Sequence, residues 1–188
     1  MNVAEIQAAY AERHPILQTI AVRIAADLTE KIRLPRIDRI AARAKAIDRF
    51  VAKATTKKDG KAKYSDPLMQ IQDQIGARVV GFYLDDAIKI ANQIKDYFRH
   101  VEEKELISEN PKEFGYVGLH FILFIPDDLI EAAERENCPR FFELQVKTLF
   151  QHAWSEAEHD LMYKPFSEFT REERRKVAFT AAQAWGAE

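Results

Sequence analysis

What the chain lacks sets the first bounds. It carries a single cysteine, Cys138, among 188 residues, so no disulfide can close within it. A reducing, cytoplasmic compartment is therefore the expectation, and nothing in the surrounding sequence places a nucleophile's base beside Cys138. No stretch approaches the ~20 apolar residues that a membrane span needs. Met1 to His14 mixes acids, polar residues and alanines, with no apolar signal core. Neither export by that route nor a membrane partner is expected. There is no internal repeat, no low-complexity tract and no large excess of one charge, the formal balance being −2.

What is present is an ordinary globular composition, 47% hydrophobic and 31% charged. The length suits one domain with peripheral helices better than two full domains. The charge, however, is unevenly spread. From Lys31 to Lys63 there are 12 Lys or Arg against 3 Asp, a local balance of +9 that leaves −11 elsewhere. A basic block in an acidic chain asks for an anionic partner. A solvated helix face followed by a solubilising loop would have the same composition.

Periodicity organises the rest. Pro15 is expected to open a helix running to about Lys31, and Pro35 a second running to about Ala54. On that second helix Ile37, Ile40, Ala44, Ile47 and Val51 form one stripe, with Arg36, Arg39, Arg43, Lys45, Arg49 and Lys53 over much of the remainder. Thr55 to Asp66 is lysine-rich, holds Asp59-Gly60 and reads as a mobile loop, and Asp66-Pro67 reads as the start of a short helix. Strands and helices then alternate. Strands are expected over Ile75–Tyr83, Val101–Ile107, Gly118–Ile125 and Phe141–Lys147, with helices from Asp85 to about Arg99, from Thr148 to about Met162, and after Thr170. The sum is an α/β or α+β domain, a mixed β-sheet flanked by helices.

Three groups of residues have chemical potential. Glu143, Gln145 and Lys147 share one face of a strand whose other face is apolar; the solvent side of an edge strand would look the same. Asp85-Asp86 follows another strand, where an Asp caps a helix but also has the placement often used to hold Mg²⁺ with a second carboxylate. Phosphoryl chemistry would then need cations, which Arg78 and the basic block supply. Finally, His152, Glu156 and His159 fall on one helical face, but the di-metal element they resemble is not repeated, so no metal site is expected there.

At this point the motifs resemble a family. Asn110-Pro-Lys112-x-x-Gly115-Tyr116-x-x-x-His120 is similar to the acceptor loop of RelA/SpoT alarmone synthetases, and Glu143-x-Gln145-x-Lys147-Thr148 to their E-x-Q-x-[RK]-T strand. Gln151-His-Ala-Trp154 through Glu158-His159 to Tyr163-Lys164 resembles the helix that follows. Asp73-x-x-Gly76-x-Arg78 with Asp86 resembles the metal-site spacing, and Arg43-x-Lys45 with Lys53 the helix that holds ATP phosphates. These pieces run in family order from about Ile40 to Lys164, closest to the small stand-alone members.

The resemblance implies a nucleotidyltransferase-like fold and pyrophosphoryl transfer from ATP to the 3′-hydroxyl of GDP or GTP, giving (p)ppGpp and AMP. It implies one synthetase-like domain over 1–188: an N-terminal helix region to 35, a catalytic core over 36–164 and a C-terminal helix after it. Asp86 and Glu143 would bind Mg²⁺, with Glu143 also assisting deprotonation and Gln145 supporting it. Arg43, Lys45, Lys53 and Arg78 would hold the ATP phosphates. Tyr116 would stack on guanine, and Lys112, His120 and Lys147 would meet the acceptor's phosphates or ribose.

Two positions depart from the family. Gly118 replaces a serine of the acceptor loop, and Arg49 stands where the ATP helix has serine. The first leaves the acceptor open: a toxin-like relative modifying the tRNA 3′ end or an adenine nucleotide is one alternative, a non-catalytic nucleotide-binding module another. A homo-oligomer, an antitoxin or another regulator are further possible partners.

Overall fold

A computed structural model describes residues 2–106, 118–163 and 170–187. The first helix, α1 (Val3–Lys31), starts twelve residues before the proline expected to open it. Asn2 and Glu5 form a capping box at its start, and Pro15 lies inside. An interior proline costs about 3 kcal/mol. Burial of Ile6 and Tyr10, at about 1.5–3 kcal/mol each, outweighs that, because both continue the stripe of Leu17, Ile20, Ile24 and Leu28 onto the core. Tyr10 also stacks on Phe50 with ring centroids 3.7 Å apart, and its hydroxyl donates to the Lys45 carbonyl at 2.8 Å.

The expected second helix divides in two. Residues Ile37–Ala44 form a strand, β1, and only Ile47–Ala54 form a helix, α2. β1 pairs antiparallel with β4 (Ile75–Gly81), and pairing across the thirty residues between them is what overrides the helical spacing. Thr55 to Asp66 likewise contains structure: Lys57–Lys58 (β2) and Lys61–Ala62 (β3) form a hairpin. Its turn places Asp59 at φ 52° and Gly60 at φ 76°, a conformation that Asp-Gly adopts readily. The short helix α3 (Pro67–Gln70) is capped by Asp66 as expected.

The remaining elements are α4 (Leu84–Tyr97), β5 (His100–Leu106), β6 (Gly118–Phe124), β7 (Phe141–Thr148), α5 (Leu149–Tyr163) and α6 (Arg171–Gly186). Thr148 and Gln151 exchange the two hydrogen bonds of a capping box at the start of α5, both at 3.1 Å. Thr170 and Glu173 do the same for α6.

The main sheet has the order β1-β4-β7-β6-β5, with β4 and β7 parallel and every other pair antiparallel. This is a mixed sheet flanked by helices, as the alternation predicts. One face is apolar: Ala42, Ala77, Leu144 and Phe121 lie in register across four strands and pack into the core with α1 and α4. The opposite face carries the polar residues. β7 is therefore an interior strand, and the alternative of an exposed edge for Glu143, Gln145 and Lys147 is excluded. Among the described residues no helix is long and apolar enough to cross a membrane.

Candidate active site

Register alone assembles the polar face. Arg43, Gly76, Glu143 and Ile122 form one row across β1, β4, β7 and β6, and Ala41, Arg78, Gln145 and His120 form the next. Over the β1 and β4 half of this grid, beside α2, lies a cleft of about 890 Å³. Arg39, Arg43, Lys45, Arg49, Lys53 and Arg78 line it with positive charge, against Asp73, Glu143 and Glu156. Gly76 sits in the floor between Arg43 and Glu143, and a Cβ added there would meet nothing within 4 Å. The missing side chain is thus not a packing demand; it leaves the floor open.

The structure places Arg43, Lys45, Lys53, Arg78, Glu143 and Gln145 along one cleft. It revises their setting. Arg43 stands at the end of β1 and Lys45 in the following connection, so only Lys53 of that trio is on a helix. Lys45 and Lys53 reach the same oxygen of Asp73, Oδ2, at 3.0 and 2.7 Å. Burial pushes the Asp73 carboxyl up, but these two ammonium groups outweigh it and hold the group below the usual carboxylate range. Asp73 Oδ1 is buried and has no hydrogen-bond partner among the described residues.

Glu143 is also ionised below its ordinary range. Burial raises it, while the hydrogen bond and charge of His120, whose Nδ1 lies 2.9 Å from Oε1, lower it further than burial lifts it. Gln145 Nε2 donates to the other Glu143 oxygen at 3.5 Å, the outer limit of a hydrogen bond. Lys147 is 2% exposed and donates to Ser155 of α5 at 2.9 Å. Arg78 Nη1 donates to Glu156 Oε1 at 2.7 Å and meets His152 Nδ1 at 3.1 Å. Burial and then Arg78 push the His152 imidazole down, which keeps it neutral and an acceptor at neutral pH. The helical face of His152 and Glu156 thus positions an arginine.

Asp86 does not join Glu143. Because β4 and β7 run parallel, the residues after β4 lie at the end opposite Glu143, which is level with Gly76. Five residues of strand separate the two levels, about 17 Å. Asp86 is also on the other face: a Cβ on Gly81 would come within 3.0 Å of Asp86 Cβ on the core side of the sheet. There Asp86 Oδ1 accepts from Arg36 at 2.8 and 3.0 Å, and Oδ2 accepts from the Tyr83 backbone N–H at 3.1 Å. Burial raises its carboxyl, and these donors more than reverse that.

Asp73 does share the cleft with Glu143, and its charge is felt there. The Asp73-x-x-Gly76-x-Arg78 motif held the signal, since it precedes β4 where Asp86 follows it. Lys112 and Tyr116 lie outside the described residues. Cys138 is half-buried, and burial pushes its thiol up to about 11, so it stays protonated at neutral pH.

Comparison with known proteins bears on the family and the fold. Residues 42–168 match the family described as "Region found in RelA / SpoT proteins". The Bacillus subtilis (strain 168) protein "GTP pyrophosphokinase YjbM" is 30% identical over 135 residues, covering 68% of this chain and 57% of the relative. "GTP pyrophosphokinase YwaC" of the same organism is 30% identical over 96 residues, 50% of this chain and 43% of the relative. The chain thus spans about half the length of these curated relatives. In fold it is similar to a GTP pyrophosphokinase family protein from Streptococcus pneumoniae, with a TM-score of 0.68 and 21% identity, covering 98% of this chain and 88% of that one. The small alarmone synthetase 1 of Bacillus subtilis bound to its product pppGpp gives 0.65 and 21%, covering 95% and 88%.

Proposed function

The chain belongs to the RelA/SpoT family, and from that premise we propose that it transfers the pyrophosphoryl group of ATP to the 3′-hydroxyl of GDP or GTP. The acceptor oxygen bonds to the β-phosphorus, the α–β bridging bond breaks, AMP leaves, and the hydroxyl proton goes to a Glu143 carboxylate oxygen. One observation carries this reading: six cationic side chains converge on a cleft whose floor holds Asp73 and Glu143. Transfer between two polyanions needs that charge to lower both binding and transition-state energies. Arg43 makes no ion pair among the described residues and faces Glu143 across the open floor at Gly76, where phosphates would lie.

The donor set fits Mg²⁺, which takes one or two carboxylates and completes its shell with water and phosphates. Asp73 Oδ1 is a buried anionic oxygen without a donor, and Glu143 shares the cleft. These two residues would hold the ion, which when bound supplies charge neutralisation for the transferred group. The chain itself does the remaining work. Lys45 and Lys53 screen Asp73 and reach toward the phosphates, His120 and Gln145 orient Glu143, and Arg78 is held over the cleft by Glu156 and His152.

A second acceptor class has its own observation. Lys57, Lys58, Lys61 and Lys63 are exposed on the β2–β3 hairpin, which follows directly from Thr56 in the cleft wall. Such a basic arm suits the backbone of tRNA, whose 3′ end would then be the acceptor. The test is a screen with ATP labelled in the γ-phosphate, Mg²⁺ and GDP, GTP, ADP or bulk tRNA in separate reactions. Label on GDP or GTP supports the reading. Label on tRNA or ADP alone keeps the chemistry and overturns the acceptor, and no transfer to any of them reduces the chain to a nucleotide-binding module.

A further inference from the structure

The polar face continues past Glu143, away from the ATP cleft. Phe141 is two residues earlier on β7, about 7 Å along the strand, and pairs with Phe124 of β6. Their rings lie 4.9 Å apart at 56° and are half-buried. Two exposed arginines converge on this pair. The Arg99 guanidinium is 4.5 Å from the Phe124 centroid, and that of Arg140 is 5.8 Å from Phe124 and 5.6 Å from Phe141. Unlike Arg23, Arg36, Arg39, Arg78 and Arg135, neither makes an ion pair among the described residues. Two cations gathered on one ring pair repel each other, and the ring quadrupole offsets only part of that. Covering the rings with arginine stems explains the packing, but one side chain would suffice for it. The convergence of two unpaired guanidiniums is what an anion would stabilise.

We infer that Arg99 and Arg140, presented over Phe124 and Phe141, form a subsite for the 5′-phosphates of the acceptor nucleotide. The inference rests on the proposed transfer reaction and adds where the acceptor's charged end goes. The cleft proposed for ATP lies on the β1 and α2 side of Glu143; the rings that carry the arginines lie on the β6 and β7 side, about 7 Å along the strand from it. An acceptor whose 3′-hydroxyl meets Glu143 and whose ribose extends away from that cleft would bring its 5′ end to them. Guanidinium groups suit this task because their planar donors match phosphate oxygens in pairs.

The test uses the double variant Arg99→Gln/Arg140→Gln, with Arg135→Gln as a control that removes a charge already paired to Asp127. Acceptor KM is measured at saturating ATP for guanosine mono-, di- and triphosphate. KM of the unmodified protein should fall as phosphates are added. In the double variant KM for GTP should rise about tenfold or more, and the dependence on phosphate number should flatten. The control should leave both unchanged. An unaltered dependence in the double variant overturns the subsite while leaving the reaction intact. Calorimetric binding of GTP without ATP separates the two ideas. If no guanine nucleotide is turned over, the reaction fails, yet GTP binding that weakens in the double variant still upholds the subsite. GTP binding that is absent or indifferent to the arginines overturns it.

Discussion

The two ends of β4 each hold an aspartate with a depressed pKa, half-buried Asp73 at the cleft end and buried Asp86 at the far end, and their oxygens are satisfied differently. At the far end every oxygen of Asp86 is engaged, Oδ1 by Arg36 and Oδ2 by the Tyr83 backbone. At the cleft end Lys45 and Lys53 share a single oxygen of Asp73 and leave Oδ1 with none. The same direction of shift at both therefore does not mark function. An unsatisfied buried acceptor on a side chain that lines the cleft does, because an orphaned buried carboxylate oxygen is costly unless a ligand completes it. The glycines repeat the contrast. Gly81 is required because a Cβ would press on Asp86 and Ile90 at 3.0 Å, whereas Gly76 is free of neighbours.

The largest expected effect is at the cleft end. Glu143→Gln should lower acceptor-dependent AMP release by about 10²–10⁴-fold with little change in the melting curve, and near-native turnover would remove Glu143 from the chemistry. The paired substitutions Asp73→Asn and Asp86→Asn come next. The first should cut turnover about 100-fold or more and weaken Mg²⁺ dependence. The second should leave turnover near native and lower Tm; the reverse outcome would restore Asp86 to the site.

Gly81→Ala should cost about 1–3 kcal/mol in denaturant unfolding through overpacking. Gly76→Ala should be within about 0.5 kcal/mol of native but raise KM for ATP. A pH profile gives the fourth check. His120 lowers the Glu143 pKa against burial, so His120→Gln should raise it. The ionised form is then lost at higher pH on descending, and the acidic limb of kcat/KM should move upward. An unmoved limb would separate His120 from Glu143. The smallest effect is at Glu156, whose exposed pairing helps hold Arg78 over the cleft. Glu156→Gln should raise KM for ATP by less than about fivefold.

Much of this was legible in the chain. Period-2 alternation fixed the two faces of β6 and β7, and the cap residues Asp66, Thr148 and Thr170 fixed helix starts. β1 was not legible, because Ile37, Ile40 and Ala44 satisfy a helical stripe as well as a half-buried strand, and arginine favours helix locally. The Asp59-Gly60 turn was legible in principle, since Asp-Gly between lysine pairs is hairpin chemistry. The carboxylate that neighbours Glu143 in the cleft was misplaced for a different reason. Asp73 and Asp86 flank the same strand, and only the direction of its neighbour decides which of them shares an end with Glu143.

The sequence by itself thus determined which side chains of β6 and β7 share a face and where α3, α5 and α6 begin. Those properties depend on residues a few positions apart, where backbone geometry is local. The tertiary structure alone decided that β1 is a strand, that β4 and β7 are parallel, and that Asp73 rather than Asp86 looks into the cleft. Each of these depends on pairing between segments more than thirty residues apart, whose energy comes from a ladder and a core that no local window contains.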